Sequence, residues 1–438
     1  MNPASHRLGT FILAALAGGL LAGAAAAWYG ETHPAWLAQT QRFATAVLDP
    51  LGRIFLHLLF WAVVPLVFST LAQGVLQLGN QGGLGGLSWR VALLFAANMA
   101  VGVALGLMAM NWLVPGTALP AETRQQLLRE FGPTASATLE TVAAQPLTSF
   151  RAVVDLLLPR NLLKAIVEFQ LLPLMVLALL LGAAGTRLPE ASRARLHQGL
   201  ELVSTLMLQL VRWAMYLAPL AVPAIIFSTV VKAGLPVLSA LIGFVLVCLG
   251  VMTLHLFGFL ALWLKWLAGR SPWAFFKAIR TVLITAFSTS SSSATLPASL
   301  AASRESLGIS APVAGFVLPL GATLNMSGTA LYEGCVVLFV AQVYGVPLSL
   351  GMQGLLLVMT VLSAVAVAGI PGGSLPLIAG LLLTFGVPPE GLALVLGADR
   401  LLDMARTTLN VAADLVTAAV VDKYWRRRLA SPPSSSSF

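Results

Sequence analysis

The sequence predicts an all-α polytopic membrane protein whose last third carries two re-entrant helical hairpins, each followed by a longer helix. Three observations predict it. Of 438 residues, 58% are hydrophobic and only 9% are charged, and the mean hydropathy is +0.89. Several stretches, at residues 8–28, 162–184, 235–264 and 352–368, reach the roughly 17–25 apolar residues that span a bilayer as a helix. Beyond residue 270 the apolar segments are interrupted by serine, glycine and proline in two matching places.

The first apolar stretch follows a single Arg7 and lacks a clear cleavage site, so it reads as an uncleaved first helix rather than a leader. The stretch at 162–184 carries Lys164 and Glu168 near its start, which blurs its boundary. A net charge of +9 is not a nucleic-acid signature here, because many of the basic residues fall in short loops between spans and act as topology markers. Arg7, Arg90, Arg187, Arg193, Arg195, Lys265, Arg270, Lys277, Arg280, Lys423 and Arg426 place both termini in the cytoplasm by the positive-inside rule. Arg42, Arg53, Arg124, Arg129 and Lys232 then fall outside, so the bias is real but imperfect. Residues 116–149 read as an external loop and the tail at 431–438 as low-complexity chain. Cys248 and Cys335 sit in apolar context and read as small buried hydrophobes rather than a disulfide. The five histidines are scattered and no metal-ligand or haem spacing occurs, so no cofactor is expected.

Near residue 270 the character changes, dividing the chain into 1–270, mainly N-terminal transmembrane helices, a core at 271–425, and a tail at 426–438. Residues 274–300 hold the hydroxyl run Ser288 to Ser293 followed by Pro297, and residues 361–383 hold AGIPGGSLPLI. Each is an apolar–turn–apolar unit with short halves, followed by a longer helical segment at 311–344 or 391–424. Irregular backbone at membrane depth persists only inside protein or beside a wet cavity, and interruptions at matching positions of two repeats point to a transport site. At such tips hydroxyls cap helix ends, and a helix N-terminus favours an anion.

In GADRLLDMARTTLNVAADL, Asp403, Arg406, Asn410 and Asp414 recur every three or four residues, with Thr407 four after Asp403. They form one polar stripe on a helix, and such residues in a membrane mark a substrate or ion path. The competing reading is a self-satisfied Asp403–Arg406 pair holding helices together. Arg406 offers a planar fork for a carboxylate, Asp403 accepts from an ammonium, and Asn410 both donates and accepts. Together they match a zwitterion with an extra carboxylate, while Asp414 suits a small cation. The segment LGATLNMSGTALYEG is too rich in glycine and polar residues for a regular lipid-facing helix. A broken turn there frees carbonyls for Na⁺ beside Asn325; the alternative is a glycine-lined packing seam.

At these residues the sequence resembles the dicarboxylate/amino acid:cation symporter family, which includes the excitatory amino acid transporters. The motifs SSSSATLP, PLGATLNMSGTALYEG, AGIPGG and LLDMARTTLNVAAD carry the likeness, in family order. The resemblance implies eight transmembrane helices plus the two hairpins in inverted repeats. It also implies a lipid-embedded homotrimer and an elevator-type transport domain moving against a trimerisation scaffold. It implies that Arg406 and Thr329 hold the substrate side-chain carboxylate, Asp403 the α-amino group and Asn410 the α-carboxylate, with Thr407 beside them. Backbone around Ser291, Ser292, Ile370 and Gly372 would close over the ligand. One Na⁺ site would use Asn325, Asn410 and Asp414, and a second Thr323, Met326 and hairpin carbonyls.

This sequence departs from the family at several positions. Its NMSGT places Ser327 where the family has an aspartate that helps bind a third sodium. Phe95, Asn98 and Met99 stand where further polar ligands of that site are expected. Ser290 replaces the arginine that prokaryotic members carry before the serine triplet. The reading is therefore a symporter of aspartate or glutamate, coupled to Na⁺ with an altered third site. The alternatives are C4-dicarboxylate as substrate and H⁺ as coupling ion. An intramembrane serine hydrolase is the reading from another class, and it needs a base that the scattered histidines do not evidently supply.

Overall fold

The computed structural model describes residues 3–79, 87–118, 157–167, 171–234, 236–367 and 372–430. Among these every regular element is helical, as a chain that must satisfy its backbone hydrogen bonds inside lipid requires. The N-terminal part comprises α1 (Pro3–Thr32), α2 (Pro34–Phe43), α3 (Asp49–Gly79), α4 (Leu87–Leu113), α5 (Leu162–Val167), α6 (Leu171–Gly185), α7 (Glu190–Ala233) and α8 (Pro236–Leu254). The chain of α8 runs on through wider turns at His255–Phe259 and Leu264–Ala268, with α9 (Leu260–Trp263) between them. Then follow α10 (Pro272–Ala278), α11 (Arg280–Thr289), α12 (Ser292–Glu305), α13 (Ala311–Leu324), α14 (Ser327–Tyr344), α15 (Leu350–Ala366), α16 (Leu375–Thr384) and α17 (Leu392–Ala430).

Proline and glycine punctuate this order. Pro34, Pro236, Pro272 and Pro312 stand in the first turns of their helices, where a missing N–H costs nothing. Gly345, at φ 69°, closes α14 in the left-handed region. Five helical stretches among the described residues are long and apolar enough to cross a membrane: Pro34–Leu76, Trp89–Thr117, Leu238–Ala268, Ala311–Tyr344 and Ala398–Arg426. A sixth is bent by 52° between Glu190–Ala214 and Tyr216–Lys232. Pro219 lies just past that bend, where its ring meets the preceding turn of the helix. The chain is a multi-pass membrane protein.

Of the expected span at 162–184, the described parts, α5 and α6, are helical, and 168–170 lie outside the described residues. Of the expected span at 352–368, α15 covers the part up to Ala366, and Val367 is extended with φ −72° and ψ 131°. The tail at 431–438 and the loop beyond Ala118 lie outside the described residues.

Two packing groups emerge. α1, α3, α6 and α7 pack on one another. α4 and α8 pack with α14, while α11, α13 and α14 surround α17. So α4 and α8, from the first 270 residues, belong by contact with the C-terminal helices. Within Ala311–Tyr344, 94% of the most apolar window is buried inside protein, which shields its polar break from lipid.

Both interrupted regions are helix–turn–helix units. α11 and α16 have ten residues each, about 15 Å of helix, half of a roughly 30 Å hydrocarbon core. The hydroxyl run is the first turn. Ser290 adopts φ 50°, ψ 35°, closing α11, and Ser291 caps α12, its Oγ accepting from Ala294 N at 3.2 Å. Thr295 Oγ1 donates to Ser291 O at 2.9 Å. In the second unit Gly372, at φ 74°, forms the turn before α16.

Candidate functional site

α13 and α14 are separated by Asn325 and Met326, whose backbones are non-helical at φ −108°, ψ 65° and φ −90°, ψ 57°. The break expected within LGATLNMSGTALYEG is therefore present. The glycines around it allow α17 close: a Cβ at Gly321 would run into the Asp414 carboxylate, and one at Gly328 into the Arg406 backbone. The seam reading and the broken-helix reading both hold, because the seam brings the break against the polar stripe.

That stripe is buried. Asp399, Asp403, Arg406, Thr407, Asn410 and Asp414 are each 6% exposed or less. Arg406 is compensated from within: its Nε donates to Asp403 Oδ1 at 2.8 Å, and a second guanidinium nitrogen lies 2.7 Å from the same oxygen. Its third nitrogen is 3.4 Å from Asp399 Oδ1, and the guanidinium lies 4.7 Å from the centre of the Tyr332 ring, a cation–π arrangement. Asp403 Oδ2 is 3.8 Å from Arg400, beyond hydrogen-bond reach. The self-satisfied pair thus exists, and it lines a polar cavity.

Ser290, Ser292, Met326, Thr329, Val367, Ser374, Asp403, Arg406, Thr407 and Asn410 line that cavity. Both helix–turn–helix units, the break and α17 converge on it. The hydroxyls of Ser290, from the first turn, and Ser374, from the second, are buried without hydrogen-bond partners among the described residues. Asn410 is held in place: its Oδ1 accepts from Gly328 N at 2.7 Å, and its Nδ2 donates to Thr329 Oγ1 at 3.2 Å and to Met326 Sδ at 3.3 Å.

Of the sequence-derived substrate residues, Ser292, Thr329, Asp403, Arg406, Thr407 and Asn410 gather at the cavity. Ser291 is not in its lining, its hydroxyl being the α12 cap. Ile370 lies outside the described residues, and Gly372 stands in the second turn. Among the cation residues, Asn325 Nδ2 donates to Asp414 Oδ1 at 2.9 Å. The Thr323 side chain points away, exposed, and its hydroxyl donates to Leu320 O. Phe95, Asn98, Met99 and Ser327 are all buried, and Ser327 Oγ has no partner among the described residues.

Sequence reading missed several groups. Asp399 lies four residues before Asp403 on the same stripe, so the spacing could have included it. Ser374 and Tyr332 had no signal beyond their neighbourhood. Glu333, in the quoted motif, is fully buried on α14. His255, one of the scattered histidines, bonds to Asn98 from α8's continuation. Cys248 and Cys335 are free and buried, as expected.

The sodium:dicarboxylate symporter family model matches residues 8–424. The chain is 33% identical over 400 residues to the proton/sodium-glutamate symport protein of Bacillus subtilis, covering 91% of this chain and 88% of that one. It is 30% identical over 424 residues to the proton/glutamate-aspartate symporter of Escherichia coli, covering 94% and 92%. It is 31% identical over 384 residues to the C4-dicarboxylate transport protein of Solibacter usitatus, covering 86% of each.

Proposed function

Because the chain belongs to the sodium:dicarboxylate symporter family, we propose that the cavity beside Asp403 and Arg406 is the substrate site of a cation-coupled symporter for aspartate or glutamate. The observation that carries this reading is the buried Asp403–Arg406 pair at 2.7 Å in the wall of a cavity shared with Thr329 and Asn410. An acidic amino acid can exchange with that pair. Its side-chain carboxylate takes the guanidinium fork with Thr329, and its ammonium takes the Asp403 carboxylate thereby released. Asn410 meets the α-carboxylate, with Thr407 alongside.

A dicarboxylate offers the fork a carboxylate but gives Asp403 no cation in exchange. It would leave a buried carboxylate facing only Arg400 at 3.8 Å, and an incompletely paired buried charge costs several kcal/mol. Amino acid therefore takes precedence over C4-dicarboxylate. The Ser290 and Ser374 hydroxyls, without partners among the described residues, are the groups through which the two tips, with backbone at Ser291, Ser292, Ile370 and Gly372, close on the ligand.

Asp414, Asn325 and Asn410 form the first cation site in this reading, and Met326 with backbone near Thr323 the second. The chemistry suits Na⁺: the Asp414 carboxylate and the backbone carbonyls freed at the Asn325–Met326 break and offered near Asn410 are hard oxygen donors. Coupling by H⁺ is the second reading, favoured by the names of the relatives in Bacillus subtilis and Escherichia coli. Ser327 supplies no charge at the third site, so fewer than three sodium ions accompany each substrate; a measured stoichiometry of three would refute this. The protein is a homotrimer in a lipid bilayer with both termini cytoplasmic. α11 to α17 form the core of a moving transport domain, and the earlier helices include the scaffold. No enzymatic step or nucleic-acid partner enters this reading.

The test is Asp403→Ser, assayed with L-aspartate and succinate in proteoliposomes. It is expected to raise the aspartate KM at least tenfold more than the succinate KM. Equal effects on both would contradict the assignment of Asp403 to the amino group.

A further inference from the structure

The candidate cation site is joined to two residues from helices that carry none of its assigned ligands. His255 Nε2 lies 2.8 Å from Asn98 Oδ1. Asn98 Nδ2 lies 3.2 Å from Asn325 Oδ1, and Asn325 Nδ2 lies 2.9 Å from Asp414 Oδ1. His255, Asn98 and Asn325 are each fully buried, and Asp414 is 4% exposed. Two helices, α4 and the continuation of α8, and the α13–α14 break thus feed one line of hydrogen bonds into α17.

The chemistry of the groups fixes the direction of the line. To serve a cation, Asp414 offers a carboxylate, which only accepts. Asn325 must then turn its NH₂ toward Asp414 and its oxygen toward Asn98. Asn98 must turn its NH₂ toward Asn325 and its oxygen toward His255. His255 must carry its proton on Nε2. Its Nδ1 is buried with no partner among the described residues, so nothing there selects the other tautomer. Every donor points toward the same carboxylate, and reversing any one amide would set oxygen against oxygen at one of its two contacts.

We infer that His255 and Asn98 are positioning residues for the cation site, acting through Asn325 to hold the Asp414 carboxylate in its liganding orientation. This rests on the reading of Asn325 and Asp414 as a cation site. The line runs through the region where Ser327 lacks the family's carboxylate. Buried groups that orient ligands in this way commonly change metal affinity 10–100-fold when removed.

The test is L-aspartate uptake into proteoliposomes, titrated with Na⁺ at saturating aspartate and with aspartate at saturating Na⁺. Asn98→Leu keeps the shape without the amide, and His255→Ala removes the donor. Each is expected to raise the Na⁺ concentration for half-maximal uptake about tenfold, with a smaller change in aspartate KM. His255→Gln, whose amide N–H can reach the Nε2 position, is expected to restore most of the loss. A Na⁺-induced rise in melting temperature of the purified variants, read without transport, is expected to weaken in parallel. Unchanged Na⁺ half-saturation in Asn98→Leu and His255→Ala, or a His255→Gln variant no better than His255→Ala, would overturn the inference. If the unmodified protein takes up aspartate without regard to Na⁺, or Asp414→Ala leaves the Na⁺ titration unchanged, the cation-site reading beneath it fails instead.

Discussion

Arg406 is the residue on which the account turns. Its charge is buried and shared between Asp403 and Asp399 over the Tyr332 ring. Removing it leaves two buried carboxylates without their main partner, at a cost of about 3–5 kcal/mol. Arg406→Gln should therefore abolish aspartate uptake and also lower the melting temperature of the purified protein. Loss of uptake with unchanged aspartate affinity in a binding assay would contradict the role given to the fork. Gly328 sets a second limit at this scale. An added Cβ meets the Arg406 backbone, and overpacking of this kind costs typically 1–3 kcal/mol. Gly328→Ala should lower stability and displace α17, seen as a raised aspartate KM; a variant with parental stability and kinetics would show that the helices separate freely there.

At the scale of elements, one junction closes the C-terminal bundle away from the site. The buried Asp422 carboxylate on α17 accepts from Ser310 N at 2.9 Å, where α13 begins, and from Arg426 Nε at 2.8 Å, with Arg270 at 3.8 Å. Arg270 also donates to Leu307 O at 2.6 Å, and Arg426 to Gly308 O. Asp422→Ala strips the start of α13 of its acceptor, a loss of about 1–3 kcal/mol, while the partly exposed Arg270 and Arg426 keep their carbonyl partners. A melting curve should show it, and KM for aspartate should stay within twofold. No change in melting would mean that the arginines alone hold the junction. In sequence, Arg270 and Arg426 read only as topology markers, because a helix-start acceptor 112 positions away in the chain leaves no periodic trace.

What was legible at this scale was local. Hydroxyls at 288–293, the AGIPGG run and the glycines around Asn325 each break a hydrophobic period, and the described parts, Ser290, Gly372 and the Asn325–Met326 break, lie at turns or breaks between helices. The α17 stripe was legible because spacing of three and four is the helical period itself. The Asn98–His255 contact was not, since its partners stand 157 positions apart on helices that are mostly apolar around them. Thr323, which only the family resemblance singled out, has an exposed side chain whose hydroxyl donates to Leu320 O, so a cation role would fall to the backbone there.

For the whole molecule, the chain sorts into a group of α1, α3, α6 and α7 and a second group around α14 and α17. The boundary near residue 270 marks the change in sequence character, but α4 and α8 cross it in space, because packing on α14 buries their apolar faces irrespective of chain order. In the proposed elevator the second group moves with its substrate and cations against the first. The buried stripe suits such movement, since a charge pair exchanged for a zwitterion stays paired throughout.

The most direct measurement is radiolabelled L-aspartate uptake into proteoliposomes of the purified protein, under an inward Na⁺ gradient in one set and an inward H⁺ gradient without Na⁺ in another. The account predicts concentrative uptake with the Na⁺ gradient alone. Accumulation driven by H⁺ without Na⁺ would contradict the sodium assignment of Asp414 and Asn325. Failure of both gradients, with succinate accumulated instead, would contradict the central claim that the Asp403–Arg406 cavity is built for an acidic amino acid.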